Sequence, residues 1–140
     1  MKRTANAQWQ GDLKTGHGSL TTQSHVLDKT QYSFNTRFTD GIGTNPEELI
    51  AAAHAGCFTM ALAYALTQKG LQAGELNTTA TVSLDMTTSS INLIELSLSA
   101  TTIEGLSSEE FEAIAFEAKK HCVISKALAG IDVQLTVNYQ

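Results

Sequence analysis

The chain has 140 residues, 14 acidic against 9 basic side chains, a net charge of −5 and two cysteines. That length buries a core of its own, so a single domain over 1–140 is expected, and no basic cluster or aromatic–basic interleaving points to nucleic acid or an anionic membrane surface. The start, MKRTANAQWQGD, has no apolar stretch of a secretory signal, so the expected place is cytoplasmic, and two cysteines there are thiols with a task rather than a disulfide framework.

Residues 4–10 read as a strand, with Ala5, Ala7 and Trp9 on alternate positions. Gly11 and Asp12 begin a turn. Residues 19–26 predict a second, largely polar strand with one face in water. Tyr32, Phe34, Thr36 and Phe38 alternate with Ser33, Asn35 and Arg37, which predicts a third strand whose off-core face carries Arg37. Residues 40–43 (DGIG) form a loop.

The stretch 44–70 is the longest apolar run. Asn45 is a favoured N-cap, Pro46 suits the first helical position, and Glu47 and Glu48 lie in the positive first turn. Gly70 is the stop. Between these limits every face is apolar, which predicts a buried helix. A membrane span is the rival reading. It is rejected because spans need about 20 strongly apolar residues, and this alanine-rich run contains His54, Gly56 and Thr59.

Residues 76–86 and 91–101 predict a long hairpin about 87–90. Ser107 and Glu110 form a capping box that opens an amphipathic helix through about Lys120. Cys122 follows, then one or two helical turns over 123–128, ended by Gly130. Ile131, Val133, Leu135, Val137 and Tyr139 alternate as a closing strand. The order βββ-α-ββ-α-(short α)-β predicts an α+β fold, mainly antiparallel sheet packed on a long helix. A helix apolar on all sides needs more cover than six modest strands supply. Two chains are therefore expected to share the burial as a symmetric dimer.

Cys57 and Cys122 allow two chemical readings beside a bland core role. A zinc site would use His54, Cys57, His121 and Cys122, but neighbouring helical residues point about 100° apart, so 121 and 122 reach one ion awkwardly. His54 reads better as a hydrogen-bonded core or interface histidine, His121 as a cation at a helix C-terminus, and His17 and His25 as surface residues. Thiol chemistry needs a thiolate, so the pKa must fall below the free value of about 8.5. Cys57 lies too deep in its helix for the dipole to help, and apolar surroundings act the wrong way. A cation is required. Arg37 is the candidate, though a solvated strand arginine fits its position equally. Lys69 and Lys126 fall near helix ends and are explained there. Glu48 sits where a capping-box carboxylate turns back to the cap, which leaves Glu47 free to hold an arginine. Glu47 stands ten residues from Cys57, roughly 15 Å along a straight helix. It cannot touch the thiol of its own helix, but if two such helices cross antiparallel in a dimer, the Glu47 of one chain lies near the Cys57 of the other.

NTRF, then GTNPEELIAAAHAGCFTMAL, then a distal cysteine before a short helix resemble the OsmC/Ohr family (osmotically inducible protein C and organic hydroperoxide resistance proteins) over essentially the whole chain. The arginine in NTRF is more similar to the OsmC branch. The resemblance implies an intertwined homodimer with sheets wrapped around long central helices. It implies a stress-response peroxidase that reduces organic hydroperoxides and, less efficiently, hydrogen peroxide. Cys57 matches the peroxidatic cysteine, Cys122 the resolving cysteine, and Arg37 and Glu47 the pair that activates and orients the first thiol. No cofactor or metal is implied. The reductant is an external dithiol, dihydrolipoyl groups, free or protein-bound. The family pattern has proline directly after the distal cysteine, where this chain has Val123. That departure bears on Cys122 more than on Cys57. The alternative is an OsmC-like domain that senses redox state or carries a small ligand without efficient turnover.

Overall fold

Ten elements follow one another along residues 1–140 of the computed structural model: β1 (Ala5–Gln10), β2 (His17–Thr22), β3 (Thr30–Tyr32), α1 (Phe34–Phe38), α2 (Pro46–Gln68), β4 (Leu76–Asp85), β5 (Ser90–Ala100), α3 (Ser108–His121), α4 (Val123–Ala127) and β6 (Asp132–Tyr139). They fall into two units, Met1–Leu49 and Ile50–Gln140.

In the first unit β1, β2 and β3 form an antiparallel sheet in sequence order. Gly18 pairs with Trp9 on one side and Tyr32 on the other. Those two rings lie 5.4 Å apart across it, and a Cβ at Gly18 would run into the Tyr32 ring. The second strand is shorter than expected, since the chain leaves the sheet at Thr22 and passes through His25 in the left-handed region at φ 58°.

The expected third strand does not reach Phe38. It stops at Tyr32, and Ser33 caps α1 instead. The Ser33 hydroxyl accepts from the Thr36 N–H at 3.2 Å, while the Thr36 hydroxyl accepts from the Ser33 N–H at 2.8 Å. Serine and threonine thus offer the backbone a local alternative to the sheet ladder. Phe34 and Phe38, spaced by four, share a face in either period. Here they meet on a helix, ring centroids 4.8 Å apart. Arg37 therefore projects from a short helix, not from a strand.

In the second unit β4 and β5 form the expected long antiparallel hairpin, from Leu76↔Ala100 to Asp85↔Ser90. The closing strand β6 pairs with β5 in parallel, Leu93↔Asp132 to Ala100↔Tyr139. The chain between them carries α3 and α4, as a parallel connection requires. Ile94, Leu96, Leu98 and Ala100 turn one face of β5 inward, and α3 lays Phe111, Ile114, Ala115 and Ala118 into the same core. Phe111 stacks on Tyr139 at 4.1 Å and 10°. Ser107 and Glu110 make the expected capping box.

α2 buries His54, Phe58, Leu62 and Leu66, every fourth residue, with its three apolar members in that core. On other faces Met60 is 75% and Tyr64 65% exposed. Burial all round is not met within one chain, whose strands cover a single stripe. By length and composition α2 also satisfies the criteria for a membrane span.

Candidate active site

Cys57 lies in mid-α2, beside the buried Phe58. Cys122 occupies the break between two helices. Its N–H donates to Ala118 O to close α3, and at φ −59°, ψ 120° it leaves the helical path and becomes the N-cap of α4. That break is what aims its side chain back at α2. The two sulfurs stand 2.9 Å apart. Both are free thiols, Cys122 fully buried and Cys57 partly so. Whichever keeps the proton donates to the other.

Burial pushes the Cys57 thiol up from its ordinary pKa, and the hydrogen bond to Cys122 adds to that; the backbone N–H groups of Ile124 and Val123 pull it down but do not win. No cation is among these influences. For Cys122 burial also opposes ionisation. Hydrogen bonds from Cys57, from the Ser125 N–H and hydroxyl and from the Ile124 N–H outweigh it, so its pKa lies below the usual value. Within residues 50–140, then, burial disfavours the Cys57 thiolate, and hydrogen bonds to Cys122 favour its thiolate.

His54, one turn before Cys57, is fully buried. Its Nε2 is 2.7 Å from the Ser125 hydroxyl, and its Nδ1 has no hydrogen-bond partner. Burial, then the charge of Lys119, hold it below the ordinary histidine pKa. His121 ends α3 and is exposed, as are His17 and His25. Nowhere do three or more His, Cys, Asp or Glu side chains gather in the manner of metal ligands.

The second pair lies wholly in residues 1–49. The Arg37 Nε reaches Glu47 Oε1 at 3.0 Å and Oε2 at 3.3 Å, and its Nη2 reaches Oε1 at 2.7 Å. Local order explains why Glu47 is free for this. The Asn45 side chain accepts the Glu48 N–H at 2.8 Å as the N-cap of α2, and its Nδ2 donates to Thr36 O at 3.0 Å, tying α1 to the start of α2. Glu48 accepts the Thr44 hydroxyl instead of turning back to the Asn45 N–H. The guanidinium also lies 5.2 Å from the Phe38 ring.

Beside Arg37 is a cleft of about 310 Å³ walled by Trp9, Leu13, Tyr32, Phe34, Phe38 and Pro46. Sequence reasoning missed it. Near Cys57 on α2, Phe58 and Leu62 are fully buried in the core and Met60 is exposed. The available signal was the clustering of Trp9, Tyr32, Phe34 and Phe38 around the first arginine after the N-terminal strand. Each predicted pair, Cys57 with Cys122 and Arg37 with Glu47, is thus brought together inside its own unit.

Comparison with known proteins gives these features a context. A family model described as "OsmC-like protein" matches residues 39–136. "Peroxiredoxin OsmC" of Escherichia coli (strain K12) is 40% identical over 139 residues, 99% of this chain and 95% of that protein. An "Organic hydroperoxide resistance protein-like" protein of Staphylococcus aureus (strain USA300) is 39% identical over 101 residues, 71% of this chain and 72% of its own. Among solved structures, an organic hydroperoxide resistance protein OsmC from Legionella pneumophila is similar with a TM-score of 0.69 at 30% identity, covering 96% of both chains.

Proposed function

The chain belongs to the OsmC-like protein family, and from that membership we propose that it is a cysteine-based peroxidase reducing organic hydroperoxides and, less efficiently, hydrogen peroxide. The observation that carries the reading is the 2.9 Å contact between Cys57 and Cys122, which puts a second sulfur where an oxidised first one would need it.

In this reading residues 1–140 act as one OsmC-like domain, and two copies intertwine as a homodimer that covers the exposed side of α2. Cys57 attacks the terminal oxygen of the hydroperoxide as a thiolate. The O–O bond breaks, the leaving alkoxide takes a proton to become an alcohol, and Cys57 becomes a sulfenic acid. Arg37, held by both oxygens of Glu47, stabilises the thiolate and the charge on the departing oxygen. The burial that pushes Cys57 up is the reason such a cation is needed. The apolar cleft beside Arg37 suits the organic tail of the peroxide. Cys122 then condenses with the sulfenic acid, releasing water and leaving a disulfide. An external dithiol, dihydrolipoyl groups in the first instance, restores both thiols by exchange. The residues ask for no prosthetic group or metal. The cytoplasm, where such dithiols are kept reduced, is the compartment that fits.

The raised pKa of Cys57 within its unit favours one alternative, a slow redox sensor built on the same pair. One experiment separates the two. Reduced protein is mixed with a slight excess of an alkyl hydroperoxide and free thiols are counted over time. Rapid loss of two thiols per chain, abolished in Cys57→Ser and repeated over many cycles with a dithiol, is the peroxidase outcome. Loss only over hours, without turnover, rejects it.

A further inference from the structure

One fully buried polar side chain has no part in the chemistry just described. His54 is held on one nitrogen only, and a buried imidazole with an unused nitrogen restricts where its proton can be. If Nδ1 carried the hydrogen, an N–H would be orphaned in the interior, which folded proteins rarely tolerate; a bare nitrogen acceptor is the lesser cost. The hydrogen therefore belongs on Nε2, which donates to the Ser125 hydroxyl at 2.7 Å. That fixes the rotor of Ser125. Its own hydrogen cannot point back at Nε2 and is free to turn toward the sulfur of Cys122, which takes the Ser125 backbone N–H at 3.5 Å.

We propose that Ser125, oriented by His54, holds Cys122 ready as the attacking thiolate in the step that forms the disulfide. The proposal rests on the assignment of Cys122 as the resolving cysteine. In that step the Cys122 sulfur gives its electron pair to the sulfur of the Cys57 sulfenic acid. The S–S bond forms, the S–O bond breaks, and hydroxide leaves and takes up a proton as water. The oxidising equivalents are those already placed on Cys57 by the hydroperoxide, so no further oxidant is needed. Ser125 touches the reacting Cys122 sulfur through its backbone N–H; His54 acts through the Ser125 hydroxyl and is a positioning residue.

Three observations agree. The Ser125 hydroxyl and N–H are among the groups that favour ionised Cys122 against its burial. His54 is kept neutral by burial and by Lys119, so it can hold one hydrogen on Nε2 without charging the pocket. Lys119 directs its ammonium group to Val133 O, not into the thiol pair. The titratable groups acting on this cluster are thus Cys57 and His54 from α2 and Lys119 from α3; α4 contributes only Ser125 and backbone N–H groups.

The test has a titration arm that does not depend on peroxidase activity. In a Cys57→Ser protein Cys122 is the sole thiol, and its ionisation is followed by the ultraviolet absorbance of the thiolate. Adding Ser125→Ala should raise the midpoint by about one pH unit, the scale of one lost hydrogen bond to a charged group. His54→Phe should raise it too, and His54→Gln, whose amide N–H can still donate to Ser125, should bring it back toward the parent. If His54→Phe fails to fold, Ser125→Ala decides alone. A midpoint unmoved by Ser125→Ala overturns the proposal. In the two-cysteine protein, Ser125→Ala should slow decay of the sulfenic acid about tenfold below the thiol midpoint, with the difference closing above it. An equal slowing at every pH would mean a merely structural role and would also overturn it. Should hydroperoxide consume no thiols at all, the peroxidase reading fails while the titration still reports on Ser125 and His54.

Discussion

Cys122 Sγ lies 2.9 Å from Cys57 Sγ although 65 residues of chain separate them. An S–S bond is 2.03–2.05 Å long, so less than about 1 Å of further approach closes the loop. Bonding then restrains mainly the unfolded chain, and a loop of this size is worth about 4 kcal/mol. Urea unfolding of the oxidised and reduced proteins should differ by that amount in favour of the oxidised form. Cys122→Ser should show no difference between the two conditions. An oxidised form that is the less stable of the two would mean that α4 has to be displaced for the bond to form.

The Arg37–Glu47 pair should matter for rate and hardly for stability. The arginine side chain is 41% exposed, and ion pairs of that kind contribute about 0–1 kcal/mol. Arg37→Ala should slow the first oxidation of Cys57 by about 100-fold or more, the scale of losing a group that stabilises developing oxygen charge. Arg37→Lys should not rescue it, because an ammonium lacks the fork that grips both Glu47 oxygens. Glu47→Gln, acting only through the arginine, should lose about tenfold. Stopped-flow mixing with an alkyl hydroperoxide measures all three. A parent rate in Arg37→Ala removes the arginine from the mechanism.

How far these features were legible in the sequence depended on how local their cause was. The Asn45 cap of α2, the capping box of α3 and the 76–101 hairpin follow from neighbouring residues, and the structure has them. The Arg37 segment was misread because Phe34 and Phe38 fit a strand and a helix alike, and the deciding contact is the reciprocal Ser33–Thr36 bond. The parallel pairing of β6 could not be read from its alternation, which is the same for either direction. Cys57 and Cys122 were candidates by type, but only folding sets a sulfur at the α3–α4 break against mid-α2. Ser125 carried no signal of its own; its importance arises from what it touches.

The two sides of α2 should respond oppositely to substitution. Phe58 is wholly enclosed by its own chain, so Phe58→Ala should cost about 3–5 kcal/mol in stability whatever the assembly state. Tyr64, 65% exposed in one chain, lies on the side that the proposed homodimer covers. Tyr64→Asp should leave each chain folded but shift sedimentation toward the monomer. If sedimentation and its concentration dependence match the parent, α2 is not the dimer seam.

His54 should give the protein an acid-side stability loss. Its folded pKa is lowered, by burial first and by Lys119 second, while the unfolded value is about 6.5. Above that value both states are neutral and the residue has no effect. As the pH falls through it the unfolded chain binds a proton that the folded chain refuses, so stability drops until the folded pKa is reached. Urea midpoints should therefore decline as the pH is lowered from about 6.5, and His54→Gln should flatten that part of the curve. Equal slopes in parent and variant would show that His54 stays as easily protonated in the fold as in the open chain.

Val123 offers a test of what the chain does differently from the pattern it resembles. It is the first residue of α4, 67% exposed, a position that proline fits because its N–H is not used in the helix. Cys122 already has the extended angles that a residue before proline must adopt, φ −59° and ψ 120°. Val123→Pro should therefore fold, with stability gained by about 0.4–1 kcal/mol through a stiffer unfolded chain. The same change removes the Val123 N–H, one of the two backbone groups that pull the Cys57 thiol down. In a Cys122→Ser background the ionisation midpoint of Cys57 should then rise, and the first oxidation near neutral pH should slow with it. Valine in this place thus trades rigidity of the short helix for a donor at the first sulfur, and an unchanged midpoint in Val123→Pro would reduce the difference to rigidity alone.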